Sequence, residues 1–275
     1  MQQFCVFGNP IAHSKSPLLH NATFRFYNID AFYGRVLLPL EFANTKPLES
    51  KAKDCLYASF LALGLSGANI TVPFKQSAFL QADEVRGIGK EIGAINTWVL
   101  ENDKVIGYNT DAQGFFMCLN NWLPAISNAL ILGAGGSAKA VAFALRQNGI
   151  TPTIYNRSSA RLEEFLQNGF ECLELAQLKE SSATFDIIIN TTPAGLNDEN
   201  LPLDSALLQT FFTRAKYAFD LIYGIKTPFL RLAQDLHLLV QDGKDMLINQ
   251  AALSFALWSK GAISTQQALA VMQRF

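Results

Sequence analysis

One stretch limits what this chain can fold into more than any other: Asn128 to Gly149, NALILGAGGSAKAVAFALRQNG. The apolar run Ala129 to Leu132 is short enough for a buried strand. Gly133-Ala134-Gly135-Gly136-Ser137-Ala138 follows, and then an apolar-rich helical segment that stops at Gly149. Strand, tight turn and helix in that order are what a dinucleotide site requires. Gly133 permits the turn, Gly135 lets backbone approach a pyrophosphate, and Ala138 allows close helix–sheet packing. The first amides of the helix then face the phosphate charge. A ligand-free glycine-rich turn has the same local sequence, so the flanking strand and helix carry the argument.

The next strand candidate, Pro152 to Tyr155, ends about 20 residues past the glycines, where an Asp or Glu would hold a ribose 2′-hydroxyl. Its end reads Asn156-Arg157-Ser158-Ser159-Ala160-Arg161, with arginines and hydroxyls but no carboxylate. A carboxylate would repel a 2′-phosphate, whereas a guanidinium holds one through a forked pair of hydrogen bonds. NADP is therefore expected rather than NAD. The plainer alternative is a solvated loop, since arginines are common at strand ends.

Composition closes several other routes. A chain of 275 residues suits two domains or one large one, and 49% hydrophobic residues suffice for sizeable cores. A formal net charge of −1 without a lysine or arginine run implies no nucleic-acid or membrane partner. Cys5, Cys55, Cys118 and Cys172 lie far apart with no CxxC, so they read as reduced residues of a cytoplasmic protein. His13, His20 and His237 form no HExxH, and no metal site is expected. The start, MQQFCVFGNP, lacks the basic head and long apolar core of a signal peptide. No apolar run approaches the ~20 residues of a membrane span.

Before the glycine turn, strand candidates run from Phe4 to Phe7, Phe32 to Leu37 and Gly67 to Val72, with a hairpin from Ala94 to Tyr108 across Glu101-Asn102-Asp103. Pro17 suits the first turn of a helix with Ser16 as its cap. Pro39 opens a further helical stretch, another segment from Phe74 to Ala82 reads as helical, and Asp111 to Trp122 forms a joining helix. After it, short apolar runs at Phe170–Glu174, Asp186–Asn190, Tyr217–Ile222 and Leu238–Gln241 complete a parallel α/β pattern. From Met246, Leu247, Ala251, Phe255 and Trp258 recur at helical spacing and need a core. The expected architecture is α/β in two domains: residues 1–110 completed by 246–275, and a doubly wound nucleotide domain over 111–245. A crevice between them is the default place for a small substrate.

Three clusters before the glycines are unlike packing residues. Ser14 and Ser16 stand among prolines. Asn69 and Thr71 share one face of a strand beside Lys75. Gly93-Ala94-Ile95-Asn96-Thr97 pairs with Gly107-Tyr108-Asn109-Thr110-Asp111. Singly, each has an ordinary explanation as a cap or a solvated charge; together they ask for a polar ligand.

With these motifs in the order Gly8-x-Pro10-Ile11-x-His13-Ser14-x-Ser16-Pro17, Asn69-Ile-Thr71-Val-Pro73-Phe-Lys75, Gly93-Ala-Ile-Asn96-Thr97 and Gly107-Tyr-Asn109-Thr110-Asp111, the chain resembles the shikimate dehydrogenases. The likeness continues through Gly133–Ala138, Asn156-Arg157, Asp220-Leu-Ile-Tyr223, Asp242-Gly243 and Met246–Ala251. It implies NADPH-dependent, reversible reduction of 3-dehydroshikimate to shikimate, with Lys75 and Asp111 as the catalytic pair. It places Ser14, Ser16, Asn69, Thr71, Asn96, Asp111, Tyr223 and Gln250 around the substrate. It places Gly133, Ala134, Gly135, Gly136, Ser137, Ala138, Asn156, Arg157, Ser158, Arg161, Leu221 and Gly243 on NADP. It implies a Rossmann-like second domain, C-terminal helices packed back on the first, and a monomer or homodimer. Asn249, where small residues are frequent, and Pro193 depart from the family pattern. The alternatives are a quinate/shikimate dehydrogenase with broader substrate or NAD use, and a catalytically silent NADP-binding sensor.

Overall fold

Phe4, Cys5, Val6 and Phe7 are all buried because the strand that carries them is covered on both faces. In the computed structural model, which describes residues 1–44 and 55–275, this strand is β1 (Gln2–Gly8). Successive side chains point to opposite faces. Phe4 and Val6 therefore enter one core cluster, while Cys5 and Phe7 enter another with Leu56, Phe60 and Phe74. Contacts divide the described chain into two compact units, 1–114 with 247–275 and 115–246.

The first unit continues through α1 (Ser16–Phe26), β2 (Ala31–Leu37), α2 (Leu56–Ala62), β3 (Gly67–Ile70), α3 (Lys75–Gln81), β4 (Glu84–Val85) and α4 (Gly89–Ile92). β5 (Thr97–Glu101), β6 (Lys104–Tyr108) and the start of α5 (Asp111–Cys118) complete its N-terminal part. The sheet order is β2-β1-β3-β5-β6-β4. The β5–β6 hairpin is antiparallel, and Asn102 and Asp103 at its tip adopt φ of 49° and 61°. That left-handed pair matches the twist of the flanking strands, and Asn and Asp tolerate it best after glycine. The helical stretch expected from Pro39 is a 3-10 turn at Leu40–Asn44, and its continuation lies outside the described residues.

The second unit holds β7 (Asn128–Leu132), α6 (Gly136–Gln147), β8 (Thr151–Tyr155), α7 (Glu163–Gln167), β9 (Glu171–Leu173), α8 (Leu175–Glu180) and β10 (Ile187–Asn190). α9 (Ser205–Phe212), β11 (Tyr217–Asp220), α10 (Pro228–Asp235) and β12 (Leu239–Gln241) follow. Every pairing is parallel, and the order β12-β11-β10-β7-β8-β9 reverses direction between β7 and β10. Such a switch point, at the carboxyl ends of the strands, is where doubly wound sheets bind ligands.

The last two helices are α11 (Lys244–Trp258) and α12 (Thr265–Met272). Ile248, Ala251, Ala252, Phe255 and Trp258 join Phe4, Val6 and Tyr33 in one core cluster, so α11 finds its core in the first unit. Trp258 donates its indole N–H to the Trp98 carbonyl at 2.9 Å, directly over Gly67, where any Cβ would collide with the indole.

Candidate active site

Strand register assembles the first unit's polar cluster. Arg35 pairs with Val6, Val6 with Asn69, and Asn69 with Thr97, which sets these residues in one row across four strands. Side chains in such a row share a face. α11 covers that face and adds Gln250 and Ser254. The Asn69 amide donates to the Asn96 carbonyl, to Thr97 Oγ1 at 3.1 Å and to Ser254 Oγ at 3.0 Å. Its Oδ1 accepts the Tyr33 hydroxyl at 2.7 Å.

Asn96 continues the network. Its Oδ1 accepts the backbone N–H of Thr110 at 2.7 Å, which turns its amino group toward Asp111 Oδ1 at 2.9 Å. The orientation follows from chemistry, since the backbone N–H only donates and a carboxylate only accepts. The same amino group reaches Gln250 Oε1 at 3.3 Å. The other Asp111 oxygen takes Lys75 Nζ at 2.6 Å, with side chains 12% and 10% exposed. Asp111 opens α5, but the first-turn amide of Ala112 bonds Asn109 Oδ1 at 3.1 Å, so the Asp111 carboxylate remains directed at the lysine. Lys75 sits at the first position of α3, and its carbonyl accepts the Ile95 amide, tying it to the Asn96 strand end.

The serine loop differs from the sequence expectation in one respect. Ser16 does not cap α1: it is the first helical residue, with Lys15 in the cap position and no side-chain cap bond. Lys15 is already helical at φ −90°, ψ −3°, so the turn closes one residue earlier, while Pro17 occupies the first turn as expected. Ser14 and Ser16 are buried, with their hydroxyls 3.3 Å apart. Thr71 falls just past the end of β3, where it packs against the Gly8 turn and its amide bonds the Phe7 carbonyl. Asn249 bonds the Gly114 carbonyl at 3.1 Å and so links α11 to α5. Tyr223 belongs to the second unit; burial raises its phenol above the ordinary range.

The second unit offers backbone rather than side chains. Gly133 adopts φ +113°, a region that favours glycine, and a Cβ there would strike the Thr191 hydroxyl. Gly135 caps the N-terminus of α6 without a side-chain hydrogen bond, and a Cβ at this position would meet no atom. Gly135 offers the first-turn amides of α6 no capping side chain, which leaves them for an anion to satisfy. Ala138 is fully buried against the sheet. Arg157, Ser158 and Arg161 are exposed, and neither arginine has an ion-pair partner among the described residues. Asn156 is partly buried and bonds the Ser158 carbonyl, which holds this loop in shape. Gly243 packs directly on the Leu221 carbonyl, leaving no space for a Cβ. The residues present fit a 2′-phosphorylated dinucleotide: a glycine turn, a bare helix end and unpaired guanidinium groups.

Several residues of these sites carry no signal as isolated letters. Tyr33, Arg35 and Ser254 all bond residues of the first cluster. Thr191 lies at the switch point and bonds the Leu132 carbonyl at 2.8 Å. Among the described residues no group of three or more His, Cys, Asp or Glu side chains is placed to hold a metal ion. None of the described helices is long and apolar enough to cross a membrane.

Comparison with known proteins bears on both units. Residues 6–98 match the family described as shikimate dehydrogenase substrate binding domain, and residues 123–197 match the family described as shikimate / quinate 5-dehydrogenase. The chain is 53% identical over 258 residues to a Helicobacter hepaticus shikimate dehydrogenase (NADP(+)), covering 94% of this chain and 91% of that protein. It is 47% identical over 277 residues to a Helicobacter pylori protein of the same name, covering 99% and 98%. Among solved structures, shikimate 5-dehydrogenase of Thermus thermophilus in complex with NADP(H) and shikimate superposes with a TM-score of 0.82 at 33% identity, covering 100% and 99%.

Proposed function

The chain belongs to the shikimate dehydrogenase family, and from that premise we propose how its residues carry the NADPH-dependent, reversible reduction of 3-dehydroshikimate to shikimate. The observation that carries the assignment of roles is the contact of Lys75 Nζ with Asp111 Oδ2 at 2.6 Å inside a polar network. When bound, NADPH supplies a hydride to the ketone carbon. The Lys75 ammonium faces the ketone oxygen, stabilises the negative charge that builds there and passes it a proton. In the reverse direction the lysine takes that proton back. Asp111 holds the ammonium in place, and Asn96 holds Asp111.

Ser14, Ser16, Asn69, Thr71, Asn96, Tyr223 and Gln250 recognise the substrate's carboxylate and ring hydroxyls. A site built from hydroxyls and amides rejects analogues that lack the matching groups, because its buried polar atoms are then unpaired. All of these residues but Tyr223 belong to the unit 1–114 with 247–275, and the residues proposed for NADP belong to the unit 115–246. The turn Gly133–Ala138 and the N-terminus of α6 take the pyrophosphate, and Asn156, Arg157, Ser158 and Arg161 take the adenosine end with its 2′-phosphate. Leu221 and Gly243 would hold the cofactor through their backbone. Dispersed cysteines support a cytoplasmic setting.

Steady-state turnover of shikimate and of quinate, each with NADP and NAD, tests the substrate and cofactor. Shikimate with NADP is expected to give the highest kcat/KM. Quinate remains the second candidate because residues 123–197 match a family described by both substrates. Lys75→Ala tests the mechanism. Its kcat is expected to fall by a factor on the order of 10² or more while the KM for shikimate moves far less. Unchanged turnover would remove the lysine from the chemistry.

A further inference from the structure

Asn190 and Asp220 end two adjacent strands of the second unit, β10 and β11, and are partners in the register. Both are fully buried. Each side chain folds back on its own chain and accepts the backbone N–H two residues on, as Asn and Asp do in turns. Asn190 Oδ1 accepts the Thr192 N–H at 3.0 Å and the Thr192 hydroxyl at 2.8 Å. Asp220 Oδ1 accepts the Ile222 N–H at 3.0 Å. The Asn190 amino group bridges to the same Asp220 oxygen at 3.1 Å. The other carboxylate oxygen takes the hydroxyl of Thr227, the cap of α10, at 2.6 Å. Donors from three segments thus meet on one carboxylate. Among the described residues no cation pairs with it, so its part in the fold is to accept hydrogen bonds.

We propose, resting on the assignment of Leu221 and Gly243 to NADP, that Asp220 is a positioning residue for the cofactor, its carboxylate fixing the turn Leu221–Tyr223 against the end of β10. The turn is held on both sides. The Leu221 N–H donates to the Asn190 carbonyl at 3.0 Å, and the Ile222 carbonyl accepts the Gly243 N–H at 3.1 Å. The Leu221 carbonyl accepts no hydrogen bond among the described residues, so it remains for a ligand N–H. A dinucleotide crosses a doubly wound sheet at its switch point. With its adenosine end on the loop after β8 and its pyrophosphate on the turn after β7, its other end reaches the ends of β10 and β11. Each bond to Asp220 has one possible direction. The Ile222 N–H only donates. Asn190 Oδ1 is taken by Thr192, which leaves its amino group for Asp220. The Thr227 oxygen accepts the Leu230 amide at 3.3 Å, which leaves its proton for Oδ2. Burial pulls the carboxyl above its ordinary range, and the three donors pull it back.

Asp220→Ala removes all three bonds. Leu221 serves the part of the cofactor that NADP and NAD share, so the KM for both is expected to rise by the same factor, about tenfold, as for one lost ligand hydrogen bond. Asp220→Asn keeps an oxygen for Asn190 and Ile222 and turns its amino group to the Thr227 oxygen, so both KM values should return to within about threefold of the parent. Unchanged KM values for both cofactors in Asp220→Ala, even with a lowered melting temperature, overturn the proposal by reducing Asp220 to a packing residue. Equal losses in Asp220→Asn and Asp220→Ala also overturn it, since the negative charge and not the turn would then be what matters. So does a rise for NADP alone. Gly243→Ala reports on the underlying assignment, because its Cβ would strike the Leu221 carbonyl with Asp220 intact. If it leaves both KM values unchanged, that assignment fails and the proposal falls with it; if it raises both and Asp220→Ala does not, only the proposal fails. Should Asp220→Ala yield no folded protein, Asn190→Ala cuts the bridge between the two turns, and unchanged KM values for both cofactors in that variant overturn the proposal.

Discussion

On the proposed assignment, the two units present polar groups to their ligands in opposite ways. In the first, side chains do the presenting, and they are buried and bonded to one another: Lys75 to Asp111, Asp111 to Asn96, Asn96 to Thr110 and Gln250, and Asn69 to Ser254 and Tyr33. In the second, backbone and exposed guanidinium groups do it, with the bare end of α6, the Gly133 turn, Arg157 and Arg161. A polyhydroxylated ring of fixed stereochemistry needs donors and acceptors locked in direction. A dinucleotide shared by many enzymes needs only a diphosphate cradle and a charge test at one ribose. Coupled side chains should therefore fail as a group, and exposed ones singly.

The largest expected effect tests that coupling. Lys75→Ala and Asp111→Ala should each lower kcat by about 10² or more, and the double variant should lose no more than the worse single, because the two groups act as a unit. Multiplied losses in the double variant would mean that Asp111 acts on the reaction by a route other than the lysine, and the contrast between the units would weaken. A smaller effect is expected in the second unit. Arg157→Ala should raise the KM for NADP about tenfold, as for one lost charge-assisted hydrogen bond. The KM for NAD, the KM for shikimate and kcat with saturating cofactor should hardly change. Equal losses with NADP and NAD would take Arg157 off the 2′-phosphate.

The same contrast explains what could be read from the letters. The strand–turn–helix proposed to hold the nucleotide was legible because its parts are contiguous: β7, the turn and α6 run from Asn128 to Gln147, and the geometry is local backbone chemistry. Lys75 and Asp111 stood out through their motifs, and their meeting across 36 positions is a product of the fold. Tyr33 and Ser254 did not stand out. A tyrosine in an edge strand and a serine in an apolar helix become chemical only when β3 lies between them, 36 and 185 positions from Asn69. Helices α2 and α9 also escaped the reading of the letters. The misplaced Ser16 cap has a local cause, since Ser16 reads as a cap by type and only the backbone of Lys15 decides where the helix begins.

The smallest effect concerns stability and sharpens the contrast from the side of acid. His20 is fully buried behind the first unit's polar row, stacked on Tyr33 and Phe255, with no hydrogen-bond partner for either ring nitrogen. Burial lowers its pKa from the ordinary 6.5 to about 3, against an opposing pull from Asn69. The unfolded chain then takes up a proton below 6.5 that the folded chain refuses until about 3. More protons bind the unfolded state, so folding stability falls as pH drops through that window, by about 1.4 kcal/mol per pH unit and about 2 kcal/mol by pH 5. Above pH 7 the group contributes no slope. His20→Phe keeps an aromatic ring in the same stack and removes the titration, so the loss of denaturation midpoint between pH 7 and pH 5 should shrink relative to the parent protein. Arg157→Ala, changed only on an exposed loop, should follow the parent's curve. Identical pH curves for His20→Phe and the parent would mean that the imidazole finds a proton acceptor or water on acidification, and that the first unit's interior is less closed than its hydrogen bonds imply.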